Sequence, residues 1–566
     1  MSQLIHFGKL SLLYEDGFVR YIRAGGIEIV RKIYFALRDS NWATADIVRS
    51  DERISVTTKG FDISYTATNV VEGKEVFRWL VKISGNETCE IDFSVAGEAL
   101  AGYNRNRAGI CVLHPIRETR DKVAKITRPD GSAYEEKFPS AIKPHQPFLD
   151  IRKMSWPLYG EVTASLEFEG DVFETEDQRN WSDTSFKTYS TPLSVPYPVM
   201  LKAGDTVNQK VKLKIINADK LPGSDLSEDI EVTIHEDHLN AFPKIGTDFA
   251  GGSTSAEAIK LLRALEFDHL RIDLVLSSPS WKEKLKSGLV LANEAGLKVF
   301  IHLTINQAEE WNDFASEKIQ SVSKLAISPL DRKADVDELL NYIIRKARKQ
   351  YPDALIGAGF RSYFTELNRN RFDTSLLDFV IYPVTPQAHA TDSLTIIENL
   401  PAQEDAVDSA KLVAPGKKIH VGLVTIKQRF NPDAKPGTKV DPNAGYDERQ
   451  QTALAAGWMI GSIKYLSEGG ADSITLFESH GLAGYFSNSK IFPVYDAFLA
   501  LRKLEPVRVI RSSCNEPLVI SSLIVESANR DRHMILVNHT ATRKSVAFDS
   551  RSYSLNDHEI QFIAVK

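Results

Sequence analysis

The chain holds 566 residues, 43% of them hydrophobic and 25% charged, a balance that suits a stable globular protein of about three or four domains. Its net charge of -6 and the lack of any strong basic run exclude the phosphate-binding surface that a nucleic-acid partner requires, and no apolar segment approaches the length that crosses a bilayer. Three widely spaced cysteines, Cys89, Cys111 and Cys514, and an N-terminus whose short apolar runs are all interrupted by polar residues predict a cytoplasmic setting without a disulfide framework, in which the Asn-x-Ser/Thr triplets at Asn86, Asn180 and Asn538 carry no glycan.

Residues 1–240 read as β structure. Val162, Ala164, Leu166 and Phe168 alternate with polar neighbours, as do Val211, Leu213 and Ile215, and again Ile230, Val232 and Ile234, which is the period of half-buried strands. A large N-terminal β-sandwich is expected. From Lys244 the pattern becomes strand, helix, strand, helix. Strands are predicted at 244–249, 269–273, 298–303, 324–327, 355–360, 378–382, 419–424 and 473–477, the fourth being short and flanked by Ser and Pro. Thr254-Ser-Ala-Glu257 forms a capping-box sequence that opens the first helix, and further helices are expected over 336–348 and 448–467. Eight strands alternating with helices predict a (β/α)8 TIM-type barrel over 241–505. After Arg502 the β character returns, giving a small C-terminal β domain over 506–566 that packs on the barrel.

The stretch FRSYFTELN, Phe360 to Asn368, leaves a glycine-bracketed apolar strand and places Glu366 and Asn368 just past its end, while Glu478 ends the strand Ser473–Phe477. Catalytic groups of such barrels sit at the C-terminal ends of strands. By this count the two glutamates lie three strand positions apart, an offset that faces them across the mouth as acid and base or nucleophile; the plainer reading makes each a surface salt-bridge partner. The loop Pro383 to Asp392 offers His389 as a proton shuttle or oxygen ligand, with Gln387 or Asp392 fixing its tautomer; it reads equally as a loop histidine satisfied by backbone carbonyls. The run Glu174 to Tyr189 is the densest polar segment. Glu176, Asp177, Arg179, Asn180 and Lys187 are suited to cradle a polyhydroxylated ligand, with Trp181 stacking on a sugar face, or else to form buried ion pairs at a domain interface. His235 and His238 lack helical spacing and follow a strand, so no metal is expected. No Gly-x-Ser-x-Gly elbow, Walker loop or His-Glu-x-x-His is present, which disfavours a serine esterase, an NTPase and a zinc protease.

GICVLHP at Gly109 to Pro115, FEGDVFETEDQRNWSDTSFKTYSTPL at Phe168 to Leu193, YFTELNR at Tyr363 to Arg369, PQAHATD at Pro386 to Asp392 and LFESHGLAG at Leu476 to Gly484 resemble the D-apionate lactonase family of bacterial apiose catabolism. The resemblance spans nearly the whole chain, although His480 and Leu482 stand where the family pattern has a threonine and an aromatic or basic residue. It implies a β-sandwich, barrel and β-tail architecture, and hydrolysis of D-apionolactone to D-apionate. The expected partner is a small-molecule sugar lactone, without cofactor, nucleic acid or membrane; self-association is left open. With neither metal nor serine elbow, lactone opening needs a carboxylate base and an acid. Glu366 and Glu478 are the expected pair, with His389, Asn368 or Arg369 binding the oxyanion or hydroxyls. Two alternatives stand beside it: a retaining glycoside hydrolase, which uses the same pair of glutamates, and a non-catalytic carbohydrate-binding protein.

Overall fold

The apolar alternation of the first part of the chain builds two nine-stranded sheets of antiparallel strands in the computed structural model, which describes residues 2–221, 229–330, 336–430, 445–488 and 490–565. Along Gly60–Val71, Phe61, Ile63, Tyr65 and Ala67 all point into one apolar core. That core takes side chains from both sheets, Phe7 meeting Phe61 at 5.0 Å and Phe35 meeting Trp79 at 5.1 Å between ring centroids. Trp79 is fully buried, and its indole N–H donates to Asn69 Oδ1 at 2.7 Å, so its one polar atom is satisfied. Burial of each such side chain contributes about 1.5–3 kcal/mol. Residues up to Gln178 and from Thr184 to Leu221 make up this sandwich unit, whereas Arg179–Asp183 and the described residues from Asp229 onward form a second one.

The second unit holds the predicted barrel. Its strands are β1 (Lys244–Asp248), β2 (His269–Val275), β3 (Lys298–Ile305), β4 (Val322–Pro329), β5 (Leu355–Gly359), β6 (Phe379–Val384), β7 (Lys418–Val424) and β8 (Ser473–Glu478), and β8 pairs with β1 to close the ring. The short fourth strand is real and runs eight residues. Gly359 is a place where only glycine fits, because a Cβ there would stand 1.8 Å from the carbonyl oxygen of Ile381 on the neighbouring strand. The helices are α1 (Ala256–Ala264), α2 (Trp281–Ala295), α3 (Glu310–Ala315), α4 (Val336–Gln350), α5 (Phe364–Arg369), α6 (Ser393–Glu398), α7 (Ala402–Val413), α8 (Ala453–Glu468) and α9 (Pro493–Arg502). Ser255, rather than Thr254, caps α1, its side chain accepting from the amide of Ala258. The helix expected over 448–467 divides at Thr452, whose extended backbone separates a 3-10 turn at Glu448–Gln451 from α8.

A correction concerns Ile230–Ala241. Its alternation predicts a strand of the N-terminal sandwich, but it pairs with Pro506–Cys514 and Lys544–Phe548 inside the seven-stranded C-terminal sheet. Period-two patterning reports that one face is buried and is silent on the partner. This sheet packs on α8, a helix buried along nearly its whole length. Lys464 of α8 is paired there with Glu468 one turn on, at 2.6 Å, and donates to the Ser512 carbonyl at 2.8 Å.

Candidate active site

Inward positions of barrel strands are usually filled by branched apolar residues. Strand β2 departs from this, with Arg271 and Asp273 two residues apart and therefore on one face. Asp248 ends β1, fully buried, beside Glu478 at the end of β8. Between these two strands the register slips: Gly246 faces Thr475 and Asp248 faces Glu478, so β8 spends one more residue over the same span. The extra residue is accommodated at Phe477, which adopts a φ of 48° and is wholly buried. Such bulges re-aim the next side chain, and a left-handed non-glycine residue costs roughly 1–3 kcal/mol. Here the re-aimed side chain is Glu478.

A cavity of about 330 Å³ opens at this C-terminal end of the barrel, lined among others by Arg271, Asp273, Lys284, Arg361, Thr425 and Arg429. Arg429 bridges two carboxylates, with Nη1 2.6 Å from Asp248 Oδ2 and Nη2 3.3 Å from Glu478 Oε1. Arg361 Nη2 donates to Asp273 Oδ2 at 3.1 Å, and its guanidinium lies 5.1 Å from the centre of the Phe430 ring. Arg271 Nη2 donates to His302 Nδ1 at 2.6 Å. The other ring nitrogen of His302 therefore carries the hydrogen and donates to Ser328 Oγ at 2.8 Å. Arg271 Nε and Nη1 and one oxygen each of Asp248 and Asp273 have no hydrogen-bond partner within the protein. Most of these atoms sit in ion pairs longer than a hydrogen bond: Arg271 Nε lies 3.7 Å from Asp248 Oδ1, and Asp273 Oδ1 lies 3.4 Å from Arg271 Nη2.

Three guanidiniums and three carboxylates thus share one end of the barrel. Burial alone pushes the Asp273 carboxyl up, but the charges of Arg361 and Arg271 outweigh it and hold Asp273 well below the ordinary carboxylate range. It is a fixed anion and a weak base. Glu478 behaves oppositely: burial pushes its carboxyl above the ordinary value, Arg429 offsets this only in part, and the neighbouring charge of Asp248 adds to the rise. Its side chain keeps 19% exposure, enough for water to reach it. Burial would lower Arg429, yet Asp248 and Glu478 raise it, so the guanidinium stays charged. Burial drives His302 well below the usual imidazole range, in accord with its neutral hydrogen-bonding role.

Glu366 departs from the expected pairing. It is the third residue of α5, 3% exposed, and Oε2 accepts the amide of Tyr363 at 2.9 Å. It does not line the cavity. A carboxylate at this position folds back onto the amide that opens its own helix, and that geometry anchors the turn after β5 that carries Arg361 and Ser362. Glu478 reaches the cavity through Arg429 rather than by lining its wall.

The remaining candidates sort into two groups. Arg179–Asp183 belong with the barrel: Arg179 pairs with Asp405 at 3.2 Å, Asn180 Oδ1 accepts from Asn368 Nδ2 at 3.0 Å, and His389 Nδ1 lies 2.6 Å from Asp183 Oδ2. Trp181 has the Arg369 guanidinium 5.0 Å from its ring centre, on one face, and lies near-perpendicular to the His389 ring at 5.5 Å. Asp392 caps α6 through the amide of Thr395, and Gln387 donates to Asp447 at 2.8 Å. None of these lines the cavity. Within the sandwich, Glu176 pairs with Lys187, and Asp177 accepts the amide of Lys143 at 3.0 Å. The cavity residues Arg271, Asp273 and Arg429 went unnoticed in the sequence. One usable signal for the first two was present, namely charges at alternate positions of an otherwise apolar strand.

Residues 1–218 match the N-terminal domain of D-apionate lactonase, and residues 245–506 match its TIM barrel domain. A D-apionate lactonase of Brucella anthropi is 29% identical over 496 residues, covering 83% of this chain and 81% of that protein. Among solved structures, a family 51 α-L-arabinofuranosidase of Bifidobacterium longum aligns with a TM-score of 0.41 and 11% identity over 57% of this chain and 88% of that one. A family 44 xyloglucanase of Paenibacillus polymyxa aligns with a TM-score of 0.40 and 8% identity over 60% of this chain and 100% of that one. At that level the structural likeness is silent about chemistry. The two domain matches, which together run through the sandwich and the whole barrel, establish that this chain belongs to the D-apionate lactonase family and is a hydrolase acting on a lactone.

Proposed function

We propose that the substrate is D-apionolactone, opened to D-apionate in the cavity at the barrel mouth, with Glu478 as the base. The observation that carries this reading is the convergence of Arg271, Arg361 and Arg429 on one cavity beside a single carboxyl, Glu478, that burial has made more basic. Opening a lactone creates an oxyanion and then a carboxylate, and guanidiniums are suited to both. Glu478 takes a proton from water as the water oxygen adds to the ring carbonyl. The resulting oxyanion is held by Arg429 and its neighbours, a stabilisation worth roughly 3–4 kcal/mol per donor in comparable sites. Collapse breaks the bond between the carbonyl carbon and the ring oxygen. The departing alkoxide regains the proton from Glu478, and the product acid ionises. Asp248 and Asp273 hold the guanidiniums in place, and Glu366 holds the β5–α5 turn. His389, bonded to Asp183, orders the neighbouring loop.

The relative's name supports the substrate choice, and the guanidiniums of Arg271, Arg361 and Arg429 that line the cavity suit the carbonyl and hydroxyl oxygens of a sugar lactone. The test is to incubate the protein with D-apionolactone, a panel of other aldonolactones and a set of aryl glycosides, following acid release and aryl alcohol release in parallel. Acid release greatest with D-apionolactone is expected. Preference for another lactone would overturn the substrate, and aryl alcohol release without acid would overturn the chemistry.

A further inference from the structure

The N-terminal end of a barrel ordinarily serves stability alone. Here it encloses a second cavity of about 460 Å³, lined among others by Lys244, Lys324, Lys418, His420, Asp472 and Ser473. Lys324 is the inner amine. Its Nζ donates to Ser473 Oγ at 2.7 Å and stands 5.9 Å from the centre of the Phe300 ring, and among the described residues no carboxylate pairs with it. An ammonium has three donors, so this one has donors to spare. Asp472, the carboxylate of the lining, is engaged with the amide of Ile419 at 2.9 Å.

The polarity of His420 follows from a chain of hydrogen bonds. His269 Nδ1 lies 3.3 Å from Asp268 Oδ2, an acceptor, so that nitrogen carries the hydrogen and Nε2 has the lone pair. The Thr475 hydroxyl, 2.9 Å from His269 Nε2, must then donate to it. A hydroxyl has one hydrogen. Thr475 Oγ1, also 2.9 Å from His420 Nε2, accordingly accepts from His420. His420 Nδ1 is left as a lone pair, and it has no partner. Burial keeps both rings neutral, His269 lowered to about 4 and His420 well below the usual range.

The cavity therefore offers a cationic donor and a neutral acceptor. We infer that it binds a small hydroxy carboxylate, the carboxylate on Lys324 and a hydroxyl donating to His420 Nδ1. A fully ionised inorganic anion satisfies only the lysine, and a neutral polyol only the imidazole. The site lies at the end of the barrel opposite the catalytic cavity and does not depend on the catalytic reading. Its ligand can be the enzyme's own product or another hydroxy acid.

Burial holds the Lys324 amine down to about 8, so it is open to acylation in mildly alkaline solution. The test is competitive acetylation of the whole protein, read lysine by lysine by peptide mass spectrometry, in excess D-erythronate, L-lactate, erythritol or sulfate. Labelling of Lys324 is expected to fall several-fold with D-erythronate, with a smaller fall in L-lactate, and to fall far less with erythritol or sulfate. Lys284, at the catalytic cavity, reports occupancy there independently. The protection of Lys324 is expected to persist in Glu478→Gln, whose turnover reads the catalytic proposal separately. Unprotected Lys324 in D-erythronate would overturn the inference, as would equal protection by sulfate or by erythritol.

Discussion

Replacing Glu478 by Gln keeps the size of the side chain and removes its charge and its transferable proton. A positioned base contributes roughly 100- to 10,000-fold to turnover, about 3–5 kcal/mol of barrel-mouth chemistry, and a loss of kcat in that range is expected. Stability should move the other way or not at all. The folded-state carboxyl lies above its ordinary value, so between the unfolded and folded values the native protein binds more protons than the unfolded chain. Stability from this group is fully present at low pH and is lost as pH rises through the folded value. At neutral pH the charge of Glu478 is therefore a cost, and the Gln variant should melt at the same temperature or slightly higher, with Arg429 still held by Asp248 at 2.6 Å. Because the base works only when ionised, kcat/KM of the wild type should decline on the acid side at a pH above the ordinary carboxyl value of 4.5. That limb should vanish from the residual activity of the variant. Turnover within a few-fold of wild type, or an acid limb that survives the substitution, would refute the assignment.

Arg179→Met breaks the buried ion pair with Asp405 and is expected to destabilise the barrel unit by about 3–5 kcal/mol, read as a lowered denaturant midpoint; an unchanged midpoint would show that the pair contributes nothing. A chain beginning at Lys244 loses both Arg179 and the strand Ile230–Ala241 from the middle of the C-terminal sheet, so it should lack a cooperative thermal transition, and a folded, fully active product would contradict this. Exhaustive chelation should leave turnover intact, since no group of three or more metal-ligating side chains occurs among the described residues; loss of activity restored by one divalent ion would reverse that expectation. Arg429→Met, which leaves Asp248 buried beside Glu478, should lower both kcat and thermal stability, in contrast to the Glu478 variant, and equal melting temperatures for the two would count against the bridging role of Arg429.

The local pattern in the sequence determined much of this protein. Half-buried strands show their period directly, and the parallel strands of a barrel are apolar runs separated by amphipathic helices, so the three-part layout, the eight barrel strands and the position of Glu478 at the end of the last were all legible. Membership of the family was legible too, because long polar motifs such as Phe168 to Leu193 are improbable by chance. Partnership was not. Ile230–Ala241 alternates like any sandwich strand, and only the hydrogen-bonded register shows that its neighbours lie some 270 or more residues further along, at Pro506–Cys514 and Lys544–Phe548. Glu366 and Glu478 look equivalent as letters following apolar strands. The first is turned back by a helix that starts two residues earlier to cap its own turn, and the second is turned outward by a bulge at Phe477 and meets Arg429. The electrostatic character of the mouth likewise arises from side chains distant in sequence, Asp248, Arg271, Arg361 and Arg429, which meet only in the folded chain. Local propensity is carried by neighbours along the chain and can be read there; side-chain direction, desolvation and ion pairing depend on neighbours in space, and only the closed barrel supplies them.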